Sequence, residues 1–289
     1  MNSPANPYAD LVATYARLFR EGKSYPLGGF APCAPVAQSA DAPIALIFSP
    51  HPDDECIIGG LALRLLRECG WNVINVAVTQ GSARARQAER FQELRNACRF
   101  LGFSLLATAP NGLEKVNPKT RKSEGATWEG MVDGVAGILR MQRPRVIFFP
   151  HELDWNSTHI GVHFLVMDAL RAVGEPRTVH LVETEYWGQM ADPNLMVESG
   201  AGDVSDLVTG LSFHVGEVKR NPFHLLLPAW MQDNVRRGSE LVGGQGEAAP
   251  DYSFATLYRH RVWRDGHIGA VPRLGRKLGA EETPAELFA

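Results

Sequence analysis

Two short stretches of the chain collect the residue types that hold metals and move protons: HPDDE at residues 51–55 and HELDWNSTHIGVH at residues 151–163. His51 and Asp54 stand three residues apart. Where a strand gives way to a helix, both side chains can turn into one crevice, and an imidazole nitrogen with a carboxylate oxygen is half of a zinc site. A catalytic zinc keeps three protein ligands and one open position, and His159, which opens a helix in the second stretch, is the best third candidate. Asp53 lies between two of these ligands and need not bind metal itself. A carboxylate there can take the proton of a water attacking a carbonyl and return it to a departing amine. The positive end of the following helix favours its ionised form. Glu55 reads as a first-turn residue favoured by the same dipole, or as a supporting residue.

Other readings of the same residues stand beside this one. Asp-Asp-Glu before a helix is also ordinary N-capping, which is far commoner than catalysis. The adjacent His-Pro, the apolar strand before it and the second His-rich strand end turn the balance toward a site. His159 and His163 share one helix face, so they could be two ligands, or one ligand and one core or supporting histidine. His151 could orient substrate or donate to an oxyanion, although a lone strand-end histidine is more often a structural hydrogen-bonding residue. His180, His214, His224, His260 and His267 show no partner pattern and read as structural or surface residues. Ser49 lacks a GxSxG elbow around it, and the single glycine of TQGSAR is too little for a dinucleotide fingerprint.

The elements that would position these residues follow from apolar periodicity. IALIFS at residues 44–49 is a continuous apolar run, as buried parallel strands tend to be. Residues 57–70 repeat apolar side chains at helical spacing up to Gly70, and strand, helix and strand are expected over 71–81, 85–101 and 104–108. A polar loop over 111–127, a helix over 128–140 and the strand RVIFFP at 145–150 complete the alternation. That pattern predicts an α/β fold, a mostly parallel sheet with helices on both faces. Ligands then gather outside the carboxyl ends of the strands, where both polar stretches lie. Residues 180–265, rich in Trp, Tyr and Pro, read as further strands and loops. Residues 1–42 read as an N-terminal arm with an amphipathic segment at 8–20, residues 43–289 as a single domain, and 180–289 as its substrate-shaping part.

Composition narrows the class of function. Lys and Arg total 29 against 32 Asp and Glu, a net charge of -3, with no basic stripe of the kind nucleic acid requires. The basic stretch at 84–99 carries Glu89 and Glu93 and reads as a solvated helix face. Four cysteines without CxxC spacing and a start without a leader pattern suit reduced thiols in the cytoplasm. No apolar run approaches the roughly 20 residues that span a bilayer.

SPHPDDE resembles the (A/S)HPDDE signature of the LmbE-like, or PIG-L, N-acetylglucosaminyl deacetylases. The resemblance continues through TQGS, ERFQELRNACRFLGF and DWNSTHIGVHFLVMDAL, over most of residues 44–170. It implies a Rossmann-like hydrolase with one zinc per chain that removes acetyl from a small N-acetylated sugar or sugar conjugate. It assigns the metal ligands to His51, Asp54 and His159 and the catalytic carboxylate to Asp53. The family's H-x-x-H departs here to Asn156 three residues before His159, and an amide there can still donate a hydrogen bond to an oxyanion but cannot donate a proton. Arg84, Arg86, Trp155, Tyr186, Trp187 and Tyr252 are candidates to shape the sugar pocket. The expected partner is a small molecule, with no nucleic acid or membrane, and a homo-oligomer is compatible with the sequence. A non-sugar N-acyl substrate, or a metal- or ligand-binding relative without turnover, is the alternative.

Overall fold

The structure, a computed structural model, describes residues 6–174, 177–272 and 274–289. In chain order the elements are α1 (Pro7–Gly22), β1 (Ile44–Ser49), α2 (Asp54–Ile57), α3 (Gly60–Cys69), β2 (Asn72–Ala77), α4 (Gln87–Leu101), β3 (Ser104–Ala107), α5 (Pro118–Ser123), α6 (Gly125–Gln142), β4 (Val146–Pro150) and α7 (Ser157–Val173). There follow β5 (Thr178–Thr184), β6 (Leu195–Glu198), α8 (Ala201–Ser212), α9 (Val215–Arg220), α10 (Leu227–Gly243), β7 (Ala255–Arg264), β8 (His267–Ile268) and β9 (Arg276–Leu278). One sheet runs β3-β2-β1-β4-β5-β7-β6-β9, with β8 paired to β7. Strands β1 to β5 are mutually parallel, and β7 is antiparallel to β5 and β6.

The apolar run of β1 is continuous because the strand is covered on both sides. Ala45 and Ile47 enter a core shared with α3, α4 and α8, while Leu46 and Phe48 enter a second core shared with α6 and α7. The sheet is therefore mostly parallel with helices on both faces. From β1 the chain winds outward to β3 and then returns to β4 on the other side of β1. The carboxyl ends of β1 and β4 consequently diverge into a crevice at the switch point, and HPDDE and HELDWN leave from those two ends.

Three expectations are corrected. The helix over 57–70 is two helices, because Gly59 takes φ +82° and a Cβ there would lie 2.0 Å from Thr256 Oγ1 on β7. The close approach of β7 detaches the turn that carries Asp54 and Glu55 from α3. The loop over 111–127 contains α5, started by Asn117, whose Oδ1 accepts from Thr120 N, with Pro118 at the first helical position. Residues 180–265 hold α8, α9 and α10 besides strands. In α8 the buried Val204, Leu207 and Leu211 keep helical spacing, a signal masked by the region's aromatic and proline content.

The C-terminal strands brace the crevice. Arg259 on β7 pairs with Glu183 on β5 and with Glu152 just beyond β4, so the antiparallel half of the sheet holds the loop that follows β4. No helix among the described residues is long and apolar enough to cross a membrane. Gly59→Ala combines a positive φ with contact against Thr256, and is expected to destabilise the fold by roughly 2–4 kcal/mol, read as the shift in urea unfolding midpoint at unchanged slope.

Candidate active site

The turn after β1 is held by its own carboxylates. His51 N donates to Asp54 Oδ2 at 2.8 Å, and Asp53 N donates to Glu55 Oε2 at 3.0 Å. Between them Asp53 sits at φ +113°, a conformation that costs a non-glycine residue about 1–3 kcal/mol and persists only where the surroundings enforce it. Asp53 occupies the N-cap position of α2 but makes no side-chain capping bond. The ordinary capping explanation of Asp-Asp-Glu therefore does not describe this residue. Its carboxylate instead lines the crevice.

Across the crevice, Asn156 caps α7 with its Oδ1, which accepts from Thr158 N at 2.8 Å. That cap aims the first turn of α7 and the fully buried His159 at the end of β1. His51 Nδ1 and His159 Nε2 stand 3.1 Å apart, and Asp54 Oδ2 is 3.5 Å from the first and 3.4 Å from the second. A tetrahedral ion with donors at about 2.0–2.1 Å separates them by about 3.3–3.4 Å. Two imidazole nitrogens and one carboxylate oxygen at these separations fit such an ion in both spacing and donor chemistry. The far ring nitrogen of His159 faces Asp154 Oδ1 at 3.5 Å, the carboxylate–histidine arrangement that fixes a ligand's orientation. Asp154 is itself fixed by the backbone N–H groups of Asn156, Trp187 and Gly188.

The electrostatics agree with a place for positive charge. Burial opposes ionisation of Asp54, yet His159 and His51 outweigh it and hold the carboxyl below the usual range. Burial would lower the His159 pKa, but Asp54 and then Asp154 push it up to about 10. Either a proton or a bound cation satisfies the carboxylates. Asp53 is driven the other way. Burial, then the neighbouring Asp54 charge, raise its pKa well above the carboxylate range, partly offset by His214 and Arg90.

The structure brings His51, Asp53, Asp54, Asn156 and His159 together, packs the buried Tyr186 ring edge-on against His159 at 4.9 Å between centroids, and gives the other candidates different places. His163 turns away, its Nδ1–H donating to Pro150 O at 3.0 Å and its ring stacked on Phe149. Of the two alternatives for that residue, the core role is the one observed. His151 has both ring nitrogens engaged, with Gly188 O at 2.8 Å and Leu153 N at 3.3 Å, so it has no hydrogen left for an oxyanion. Trp155 is 82% exposed, and Tyr252 belongs to a separate cluster near β7. Arg84 lines a cavity of about 430 Å³ beside His51 but is paired with Glu114. Arg86 and Trp187 line a second cavity of about 530 Å³ that also reaches His51 and Asn156.

Several site residues escaped the sequence. Arg90, read as part of a solvated helix face, is largely buried, with an NH2 group 3.8 Å from Asp53 Oδ2 and bonded to Pro52 O. His214, read as structural, meets Glu55 at 2.7 Å. Neither carries a local signal, because each partner is distant in the chain. The cluster of Glu152, His163 and Glu183 has ligand-like composition, but Arg259 and Arg261 already neutralise its acids.

Residues 46–170 match the family described as PIG-L, GlcNAc-PI de-N-acetylase. No curated protein matches the chain in sequence. Among solved structures, N,N'-diacetylchitobiose deacetylase from Pyrococcus horikoshii is similar over 90% of this chain and 94% of that one, at 16% identity and a TM-score of 0.54. GalB, the 4-carboxy-2-hydroxymuconate hydratase from Pseudomonas putida KT2440, is similar over 82% and 99%, at 16% identity and 0.56. The zinc-inhibited form of teicoplanin deacetylase Orf2 is similar over 76% and 98%, at 15% identity and 0.53. At these identities the likeness is one of fold, and it spans deacetylases and a hydratase alike. The matched segment contains the HPDDE turn and the helix bearing His159, so the part of the chain that carries the donor triad is the part similar to the PIG-L, or LmbE-like, deacetylase family.

Proposed function

We propose that the chain is a zinc-dependent hydrolase that removes the acetyl group from the amine of a small N-acetylated sugar or sugar conjugate. The observation that carries this reading is the convergence of three donor atoms at 3.1–3.5 Å beside Asp53, a carboxylate left free of capping. Similarity to the family over residues 46–170 supports the same reaction. His51, Asp54 and His159 would hold one zinc, which supplies a Lewis acid that polarises a carbonyl and acidifies a water.

The protein's own groups then divide the work. Asp53 accepts a proton from the attacking water and delivers it to the amine nitrogen as the C–N bond breaks. Burial and the adjacent Asp54 raise its proton affinity, which suits a group that must first take a proton and then hold it until the amine leaves. Arg90, 3.8 Å away, limits how far that carboxylate can swing. Asn156 spends its carbonyl end on the α7 cap, so its NH2 end is the one that can donate to the amide oxygen as charge builds there. The two cavities, about 430 and 530 Å³, meet at His51 and Asn156 and have the size of small-molecule sites. Their threonine, asparagine, glutamine and arginine lining supports a hydroxyl-rich ligand over an apolar N-acyl metabolite. Against a binding protein without turnover stands the strained Asp53, which metal retention alone does not require. The four cysteines are unpaired, in keeping with a cytoplasmic enzyme.

Purified protein is expected to carry about one zinc per chain and to release acetate from one or more members of a panel of N-acetyl sugars, with release abolished by chelation and restored by zinc. Zinc-loaded protein that releases acetate from none of them would remove the sugar deacetylase assignment. Asp53→Asn should keep its zinc and lose on the order of 10²–10⁴-fold in kcat, whereas His159→Ala should lose zinc affinity as well. Asn156→Asp separates capping from oxyanion binding. The carboxylate still caps α7, so Tm should hold, but the NH2 donor is gone and kcat should fall about 10²-fold.

A further inference from the structure

Outside the matched segment, the corner between α8 and α9 sends one side chain beneath the catalytic turn. His214 N donates to Leu211 O, and its carbonyl accepts from Glu217 N and Val218 N, so the residue is fixed where α9 begins. Its Nε2 lies 2.7 Å from Glu55 Oε1, with both side chains fully buried. The other oxygen of Glu55 accepts from Asp53 N at 3.0 Å. One carboxylate therefore bridges an imidazole from the C-terminal part of the chain to the backbone of the residue at φ +113°. Cys56 Sγ also approaches Glu55 Oε1, at 3.3 Å.

The composition of Glu55, Cys56 and His214 could suggest a second metal, but the chemistry opposes it. Both oxygens of Glu55 are engaged, and burial followed by the Glu55 charge pushes the Cys56 thiol well above its usual range, away from the thiolate that metals bind. A fully buried carboxylate also has to be paired to remain where it is. Without His214, Glu55 would lose its ionic partner and the grip on Asp53 N–H would slacken. Among the described residues Glu55 alone accepts from that N–H, while the Asp53 carbonyl is held by Cys56 N at 3.1 Å.

We propose that His214 is a positioning residue: through Glu55 it locks the Asp53 backbone in the strained conformation that presents the Asp53 carboxylate to the crevice. Among the described residues its side chain is hydrogen-bonded to Glu55 alone, so it acts through another side chain. The inference rests on Asp53 as the proton-transfer group of the proposed hydrolase. It also makes the α8–α9 corner part of the active site rather than a covering for it.

The test compares His214→Gln, whose amide NH2 can replace the Nε2–H donor, with His214→Phe, which fills the space without donating. In the zinc-loaded enzyme, His214→Phe should lower kcat ~10–100-fold with KM within about twofold and zinc content unchanged, and His214→Gln should recover most of the loss. Should the phenylalanine variant fail to fold, Glu55→Gln against Glu55→Met asks the same question, since only glutamine keeps an acceptor for Asp53 N–H. Equal kcat in the donor and non-donor variants, or loss of zinc in step with kcat, would overturn the proposal. Crystal structures give a readout free of turnover. Asp53 should keep its positive φ in His214→Gln and relax to negative φ in His214→Phe, and retention of the positive φ in both would also overturn it. If wild-type protein releases no acetate while φ changes as described, the substrate assignment fails and the positioning role stands.

Discussion

A carboxylate buried at the end of a parallel strand has to meet positive charge, and Asp54, 1% exposed, imposes that condition on everything around it. Its Oδ2 is reached by the backbone N–H of His51 and by the rings of His51 and His159, one from each side of the switch point. The rest of the crevice serves that meeting. Asn156 starts α7 so that His159 arrives at the right height, Asp154 braces the far side of the ring, and Arg259 ties the intervening loop to the sheet. Two rings and a carboxylate left together without a cation are electrostatically incomplete unless a proton is trapped among them. The rise of the His159 pKa toward about 10 expresses that demand.

Neighbouring carboxylates in one turn serve opposite ends. Asp54 is held ionised by two imidazoles, while Asp53, one residue earlier, is pushed toward its protonated form by burial and by Asp54 itself. Environments that drive adjacent carboxyl groups apart are the pattern that the proposed hydrolase needs, one fixed charge beside one group able to exchange a proton. The backbone makes this division possible. An ordinary helix start would have spent Asp53 on an amide of α2, whereas φ +113° turns it out of the cap, with Glu55 holding its N–H.

What was legible in the sequence is what local pattern encodes. The strand ends, the parallel sheet with helices on both faces, and the pairing of HPDDE with the stretch around His159 all follow from apolar periodicity and from the rule that parallel sheets bind at their carboxyl ends. The break at Gly59 was not legible, because its cause is Thr256, nearly two hundred residues later. The same holds for His214, isolated in sequence and 159 positions from Glu55, and for Arg90, whose two acidic neighbours suggested a solvated face although its partners are Pro52 O and the Asp53 carboxylate. His151 shows the converse. Its place at a strand end leaves a role toward substrate or an oxyanion open beside the commoner structural one, and the carbonyl of Gly188, brought over by the segment after β5, shows that its hydrogen is already spent.

The fold delivers a crevice and not a reaction, since the same topology is found in deacetylases and in a hydratase. The discriminating features must therefore come from the parts that vary around the switch point. In this chain the floor of the crevice is built by the first half, but one wall is built by residues beyond 170. Trp187 follows β5, while Glu217 and Arg220 come from α9. Glu217 is shared by Arg86 and Arg220, and Arg90 lies 3.9 Å from it, so a single carboxylate from α9 organises the arginines that line the second cavity with Asp53. Changing that helix would alter the charge and shape presented to a substrate while leaving the donor triad intact. The donor triad thus comes wholly from the chain before residue 170, while the wall facing it is shared between that part and α9, so the charge of the wall can change without touching the triad.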